Sequence, residues 1–236
     1  ELGLRLFNNE DGWGKTREAN ILRNFEYQYN IKNLYESDIS TVKYVRNNYG
    51  LRDNCSSVDK IEILTIGGST TDQHYVSFEE TFQTVLQNRL TELNPNFGCV
   101  TNAGVDGHST LGHIFSFEHW FPLIPKLKPS YVLFYVGIND VKFNHTKGNP
   151  GFDYNKKTLK TWLKQFEIVQ RLLPIYRYIF HSNNLGDVYA SHNGFGYTAE
   201  DYTEVSLNET TDALSRKNSK AFKIRFKILL NYAEQM

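Results

Sequence analysis

Ile61-Glu62-Ile63-Leu64-Thr65-Ile66-Gly67-Gly68-Ser69-Thr70-Thr71 is the stretch that decides the fold. Its first part, Ile61 to Ile66, is β-branched and apolar, and short enough for a buried strand. Two glycines end the run. Ser77-Phe78-Glu79-Glu80 then reads as a capping box, a serine followed three positions later by a glutamate. Phe78, Phe82, Val85, Leu86, Leu90 and Leu93 follow at helical spacing and form one apolar stripe. The unit is strand, glycine-rich turn, helix.

The pattern then repeats. Phe97 to Thr101 reads as a second strand that ends at Asn102-Ala103-Gly104. A helix is expected over Leu111 to Ile124, disturbed at its end by Pro122 and Pro125. Tyr131 to Val136 is the most apolar strand and stops at Gly137-Ile138-Asn139-Asp140. Alternation of this kind predicts an α/β fold, a parallel sheet with right-handed crossovers. Ligands of such sheets bind at the carboxyl ends of the strands. The three tips are evenly spaced, 35 residues from Ser69 to Gly104 and 35 from Gly104 to Asn139, so they should line one sheet edge.

Outside this core the signals are weaker. Residues 1–58 are polar and irregular and read as an N-terminal arm or small subdomain, with Gly50 suited to positive φ. Residues 59–236 form the main domain, with an insertion over about 141–215. Within it Thr158 to Tyr178 reads as a helix, and His181 to Leu214 as a long loop over the site. A final helix, Lys220 to Met236, uses Phe222, Phe226, Leu229, Leu230 and Ala233.

Composition narrows the function. The chain has 236 residues, is 40% apolar and 14% aromatic, and so reads as globular. Lys+Arg and Asp+Glu balance at 26 each, which argues against nucleic acid as a partner. No apolar run reaches about 18 residues, so any membrane association would come from a segment before Glu1. Cys55 and Cys99 are too few for a disulfide scaffold or a zinc site, and a bridge between them is not expected. Asn54-Cys55-Ser56, Asn144-His145-Thr146 and Asn208-Glu209-Thr210 match the glycosylation pattern, as chance allows in an Asn-rich chain.

The tips suggest chemistry. Ser69 stands on a sharp turn into a helix N-terminus, where free N–H groups favour negative charge. Gly104 can present a bare backbone N–H, and Asn139 a side-chain N–H. A nucleophile with converging donors is what acyl transfer needs, because its tetrahedral intermediate develops an oxyanion. Each piece alone has a plainer reading: Gly-Gly-Ser as an N-cap, Gly104 as a turn glycine, Asn139-Asp140 as a loop or cap. Asp72 and His74 are assigned to helix capping and loop surface.

Ile63 to Thr71, Asn102-Ala103-Gly104 and Gly137-Ile138-Asn139-Asp140 resemble the first three blocks of the SGNH (GDSL-type) hydrolases, in a Gly-Gly-Ser-Thr-Thr subgroup. Asn48-Tyr49-Gly50-Leu51-Arg52 is similar to a lead-in of bacterial cell-envelope members. The resemblance covers residues 47–142. It implies a flavodoxin-like three-layer α/β/α sandwich, incomplete at its C-terminal end. It also implies Ser69 as nucleophile, with the Ser69 N–H, the Gly104 N–H and the Asn139 side chain as oxyanion hole. The implied activity is that of a serine esterase on an O-acyl group of a carbohydrate or lipid, with no cofactor.

Two features depart from the family. Gly68 stands where the eponymous block has Asp, and no histidine follows an aspartate by three residues, so the late Asp-x-x-His base is missing. A chain that continues beyond Met236 is the expected reason. Other readings of the residues are a flavodoxin-like module that cradles a phosphate or flavin on Gly67–Thr71, and an inert glycan-binding protein using Phe195, Tyr197 and Tyr202.

Overall fold

The computed structural model describes Trp13, Thr16 and residues 19–32, 40–140 and 209–236, the last segment with side chains from 216 onward. The expected helix at 158–178, His145, His181 and His192, and the aromatic positions Phe195, Tyr197 and Tyr202 lie outside the described residues.

The fold is mixed α/β. Its centre is a parallel sheet in the order β4-β3-β5, with β3 at Ile61–Gly67, β4 at Cys99–Asn102 and β5 at Tyr131–Tyr135. Leu64 and Ile66 are fully buried on the central strand, as a continuous β-branched run predicts. Register sets Thr65 beside Asn102 and Gly67 beside Tyr135. Because all three strands run the same way, the three glycine-bearing tips leave the sheet at one edge. β5 is less buried than its apolar sequence predicts: Tyr131 is 63% and Tyr135 58% exposed.

Helix α1 is a single turn, Ser69–Asp72. α2 covers Phe82–Leu93 and α3 Thr110–His119. The expected capping box does not start α2. Ser77 leads only a 3-10 turn over Phe78–Glu80 and its side chain caps nothing, whereas extended Thr81 accepts the Thr84 N–H and begins the helix. α3 stops at His119 and a 3-10 turn at Phe121–Leu123 absorbs Pro122. α4 covers Glu209–Glu234 and so takes the last part of the stretch read as loop. α4 packs on α3, with Phe117 and Tyr232 rings stacked at 5.5 Å.

The polar N-terminal region holds an antiparallel hairpin, β1 at Phe25–Asn30 and β2 at Thr41–Arg46. Val42, Tyr44 and Arg46 alternate inward, a period of two that is plain in Thr41-Val42-Lys43-Tyr44-Val45-Arg46. Ile21 and Leu51 belong to the same core as Leu64, Ala103, Trp120 and Leu229. Asn47 Oδ1 accepts the Tyr49 and Leu51 N–H groups, and Gly50 takes the positive φ of 81° that the sequence suggests.

Cys55 and Cys99 are bonded, contrary to expectation, with Cα atoms 5.9 Å apart. The Arg52–Asn102 bridge brings the chain before β3 alongside β4, and proximity in the fold rather than in sequence pairs the cysteines. The bond closes a loop of 44 residues. The Cys55→Ser/Cys99→Ser protein should therefore lose about 2–4 kcal/mol of unfolding free energy in urea under non-reducing conditions. Equal stability of the two proteins would show that the bond adds nothing.

Candidate active site

Ser69 is the first residue of α1 and is exposed. The Thr71 and Asp72 N–H groups return to Gly68 O at 3.0 and 2.9 Å, and Gln73, in the left-handed region at φ 54°, ends the turn. Among the described residues neither the Ser69 hydroxyl nor its N–H has a hydrogen-bond partner. The turn therefore presents a free hydroxyl and a free amide side by side.

The glycines exist because the tips meet. A Cβ on Gly68 would lie 2.7 Å from Asn139 Nδ2. A Cβ on Gly104 would lie 2.5 Å from the Asp72 N and 2.8 Å from the Thr71 C of the Ser69 turn. Any larger residue would push the first tip away from the third or from the second.

The three expected site residues are thus assembled, but not all as expected. Asn139 sits over Gly68, and its Nδ2 donates to His108 O at 2.9 Å, a bond that uses one of its two N–H groups. The Gly104 N–H does not face an open pocket. It donates to Asn102 Oδ1 at 2.8 Å, because an Asn side chain readily bonds the backbone two residues on. Asn102 Nδ2 in turn donates to Thr71 O at 2.7 Å. Gly104 therefore acts through close packing, and Asn102 staples the second tip to the first.

Asp72 and His74 are not surface or capping groups. Asp72 is 2% exposed. Its Oδ1 accepts from Tyr44 Oη at 2.7 Å and from Arg46 Nη2, and its Oδ2 from the Asp106 N–H at 3.1 Å. His74 Nε2 lies 2.5 Å from Oδ2. Burial alone would raise the Asp72 pKa, but Arg46, with the His74 and Tyr44 hydrogen bonds, overrides it and holds it at about 2. Arg46 also donates to Gly50 O at 2.9 Å and to Gly104 O at 2.5 Å. Arg52, in the lead-in resembling envelope members, donates to Asp72 O, Gln73 O and Val76 O at 2.9, 2.7 and 2.7 Å. It satisfies the carbonyls that so short a helix leaves open. A cavity of about 10 Å³ beside Tyr44, Arg46, Asp72 and His74 has room for about one water and is no substrate pocket.

A second polar cluster lies behind the third tip. Both Asp140 oxygens accept the Thr110 N–H at 3.0–3.1 Å, at the start of α3. Thr110 Oγ1 donates to Asp140 Oδ1 at 2.5 Å. Arg225, fully buried on α4, donates to Asp140 Oδ1 at 3.0 Å and to Thr110 Oγ1 at 2.6 Å. His108 and His113 are each 1% exposed. Burial pushes His108 down to about 4 and His113 well below its ordinary value.

Comparison with protein-family models, with curated proteins and with solved structures finds no match. Among the described residues no cluster of side chains has the make-up of a metal site, and no helix is long and apolar enough to cross a membrane.

Two predictions follow from burial. Arg46→Met strips the buried Asp72 carboxylate of its guanidinium counter-charge, and should cost about 3–5 kcal/mol in chemical denaturation. For the histidines, the folded pKa lies below the unfolded one, so the unfolded chain binds more protons between them. Stability should then fall as pH drops from about 6.5 to about 4, by about 3 kcal/mol from His108 alone. The Asp72 contribution is lost only below about pH 4, which separates the two effects. A thermal midpoint that is flat from pH 7 to pH 4 would contradict neutral buried imidazoles.

Proposed function

We propose that the chain is a serine esterase of the SGNH (GDSL-type) kind, acting on an O-acyl ester of a carbohydrate or lipid. The observation that supports this reading is the meeting of the first and third tips: an exposed, unpartnered Ser69 hydroxyl beside a glycine roofed by the Asn139 carboxamide. Hydroxyl, amide N–H and carboxamide at one point suit a carbonyl carbon under attack and the oxygen that becomes anionic. The sheet order β4-β3-β5 is compatible with a flavodoxin-like three-layer sandwich, which is the architecture we propose. The Cys55–Cys99 bond fits an oxidising, extracytoplasmic setting.

In this reading Ser69 Oγ bonds to the acyl carbon while its proton passes to a base. The carbonyl π electrons move to oxygen, which receives hydrogen bonds from the Ser69 N–H and Asn139 Nδ2. Collapse expels the alcohol, which takes up the proton, and water then releases the acid from the acyl-enzyme. In the family the base is the histidine of the late block. None of this chain's histidines, at 74, 108, 113, 119, 145, 181 and 192, stands three residues after an aspartate. His108 is held neutral, with Nε2 2.7 Å from Ala19 O, so it is poorly suited to the task. Ser69 and Asn139 thus carry attack and oxyanion, and the proton acceptor is a separate group.

Hydrolysis of p-nitrophenyl acetate by the full-length protein tests the assignment. Ser69→Ala should reduce turnover to background, and Asn139→Ala should lower kcat by about 10²–10³-fold, the usual cost of one oxyanion donor. Equal rates for wild type and Ser69→Ala would remove Ser69 from the mechanism.

A further inference from the structure

Asn139 has no strong anchor within its own tip, yet its amide must be held to be useful. Its own bond is to the His108 carbonyl just ahead of α3, and its neighbour Asp140 is held by Thr110 at the start of α3 and by Arg225 of α4. On α4, Phe222, Arg225, Phe226 and Leu229 recur at helical spacing and share one face. The Phe222 ring lies 3.7 Å from where a Cβ on Gly137 would be, and Phe226 meets Phe134 of β5 at 5.8 Å between centroids. Arg225 sits between these rings in sequence and is the buried polar member of the face.

Among the described residues its guanidinium bridges Thr110 and Asp140. Nε donates to Thr110 Oγ1 at 2.6 Å and Nη2 to Asp140 Oδ1 at 3.0 Å. Thr110 and Asp140 are also bonded to each other through side chain and backbone. Consecutive residues of the third tip therefore grip consecutive parts of one segment. Asn139 holds the His108 carbonyl, and Asp140 holds the Thr110 amide two positions on. The fork of Arg225 closes the second grip from behind. A lysine would keep the charge but could not reproduce that planar two-point contact.

A buried ion pair is a poor source of stability, since desolvation offsets most of its attraction. Its geometric effect is larger: it fixes where the backbone of residues 139 and 140 can lie relative to the start of α3. We propose that Arg225 is a positioning residue for Asn139, holding the carboxamide over Gly68 through Asp140 and Thr110. The inference rests on the reading of Asn139 as oxyanion donor.

The test is a double-mutant cycle on ester hydrolysis by the whole chain, supported by an NMR measurement that needs no activity. Arg225→Lys should lower kcat for p-nitrophenyl acetate about ten- to hundredfold, as misplaced groups do. KM should stay unchanged, because the lost interaction is made in the transition state. In an Asn139→Ala background the same substitution should have little further effect, since the residue it positions is gone. Thr110→Val, which removes the bridging hydroxyl but keeps the shape, should act in the same direction if Arg225→Lys does not fold. An equal loss of kcat in the presence and absence of Asn139 would overturn the proposal, as would wild-type kcat in folded Arg225→Lys. Absence of Ser69-dependent turnover in the full-length wild type would instead overturn the esterase reading. The positioning claim is then decided by the Asn139 side-chain amide signals, identified by their disappearance in Asn139→Asp. Their exchange with solvent should accelerate about tenfold or more in Arg225→Lys, the signature of a loosened local contact. Unchanged exchange would overturn it.

Discussion

The buried pairing of Arg46 with Asp72 is the constraint on which the site depends. One guanidinium reaches the carboxylate of Asp72 in the Ser69 turn, the carbonyl of Gly104 in the second tip and the carbonyl of Gly50 before β3. These groups come from parts of the chain that no local preference would bring together. Burying the charge is costly, and the pair repays it because both carboxylate oxygens carry further hydrogen bonds. Tyr44 bonds both members, and His74 and the Asp106 amide fill the other carboxylate oxygen. Such a network has one low-energy arrangement, so it sets geometry more than it adds stability.

A second arginine does the corresponding work on the other side. Arg46 comes from the hairpin that precedes the sheet, and Arg225 from the helix at the far end of the chain. Each pairs with an aspartate at the end of a tip motif, Asp72 after Gly-Gly-Ser-Thr-Thr and Asp140 after Gly-Ile-Asn. The parallel sheet brings the tips to one edge but leaves their loops free to splay. The two ion pairs remove that freedom, one joining the first tip to the second and the other joining the third to the start of α3.

The strands and tips were legible in the sequence because their signals are local. An apolar run ended by glycine is both the strand and its sharp turn, and the equal spacing of Ser69, Gly104 and Asn139 is a direct consequence of repeated strand–helix units. What was not legible is what depends on distant partners. Arg46 and Arg225 look like ordinary surface cations until the fold turns them inward, although the alternation of Val42, Tyr44 and Arg46 marks the inward register. The Cys55–Cys99 bond depends on the antiparallel bridge from Arg52 to Asn102. The start of α2 is ambiguous in the sequence because Ser77 and Thr81 are both good caps, and only the backbone shows which one bonds an N–H. The residue type of Gly104 suggests a free donor, but Asn102 competes for the same N–H at shorter range.

The position of Asp72 raises an electrostatic question that Arg46 answers. A carboxylate held at a pKa of about 2 is ionised at any working pH, and it stands three residues from the proposed nucleophile. In a poorly solvated site its field would oppose the negative charge that develops on a substrate carbonyl oxygen. Arg46 cancels that field at its source, because guanidinium and carboxylate are in direct contact with each side chain only 3% exposed. The Ser69 amide and the Asn139 carboxamide can then act as dipoles on a nearly neutral background. A neutral residue at position 72 would avoid the conflict, but it would leave Arg46 without its anchor on the Ser69 turn. The aspartate is therefore compatible with oxyanion chemistry only as half of a buried pair, and the hairpin that supplies the other half is part of the site rather than an appendage to it.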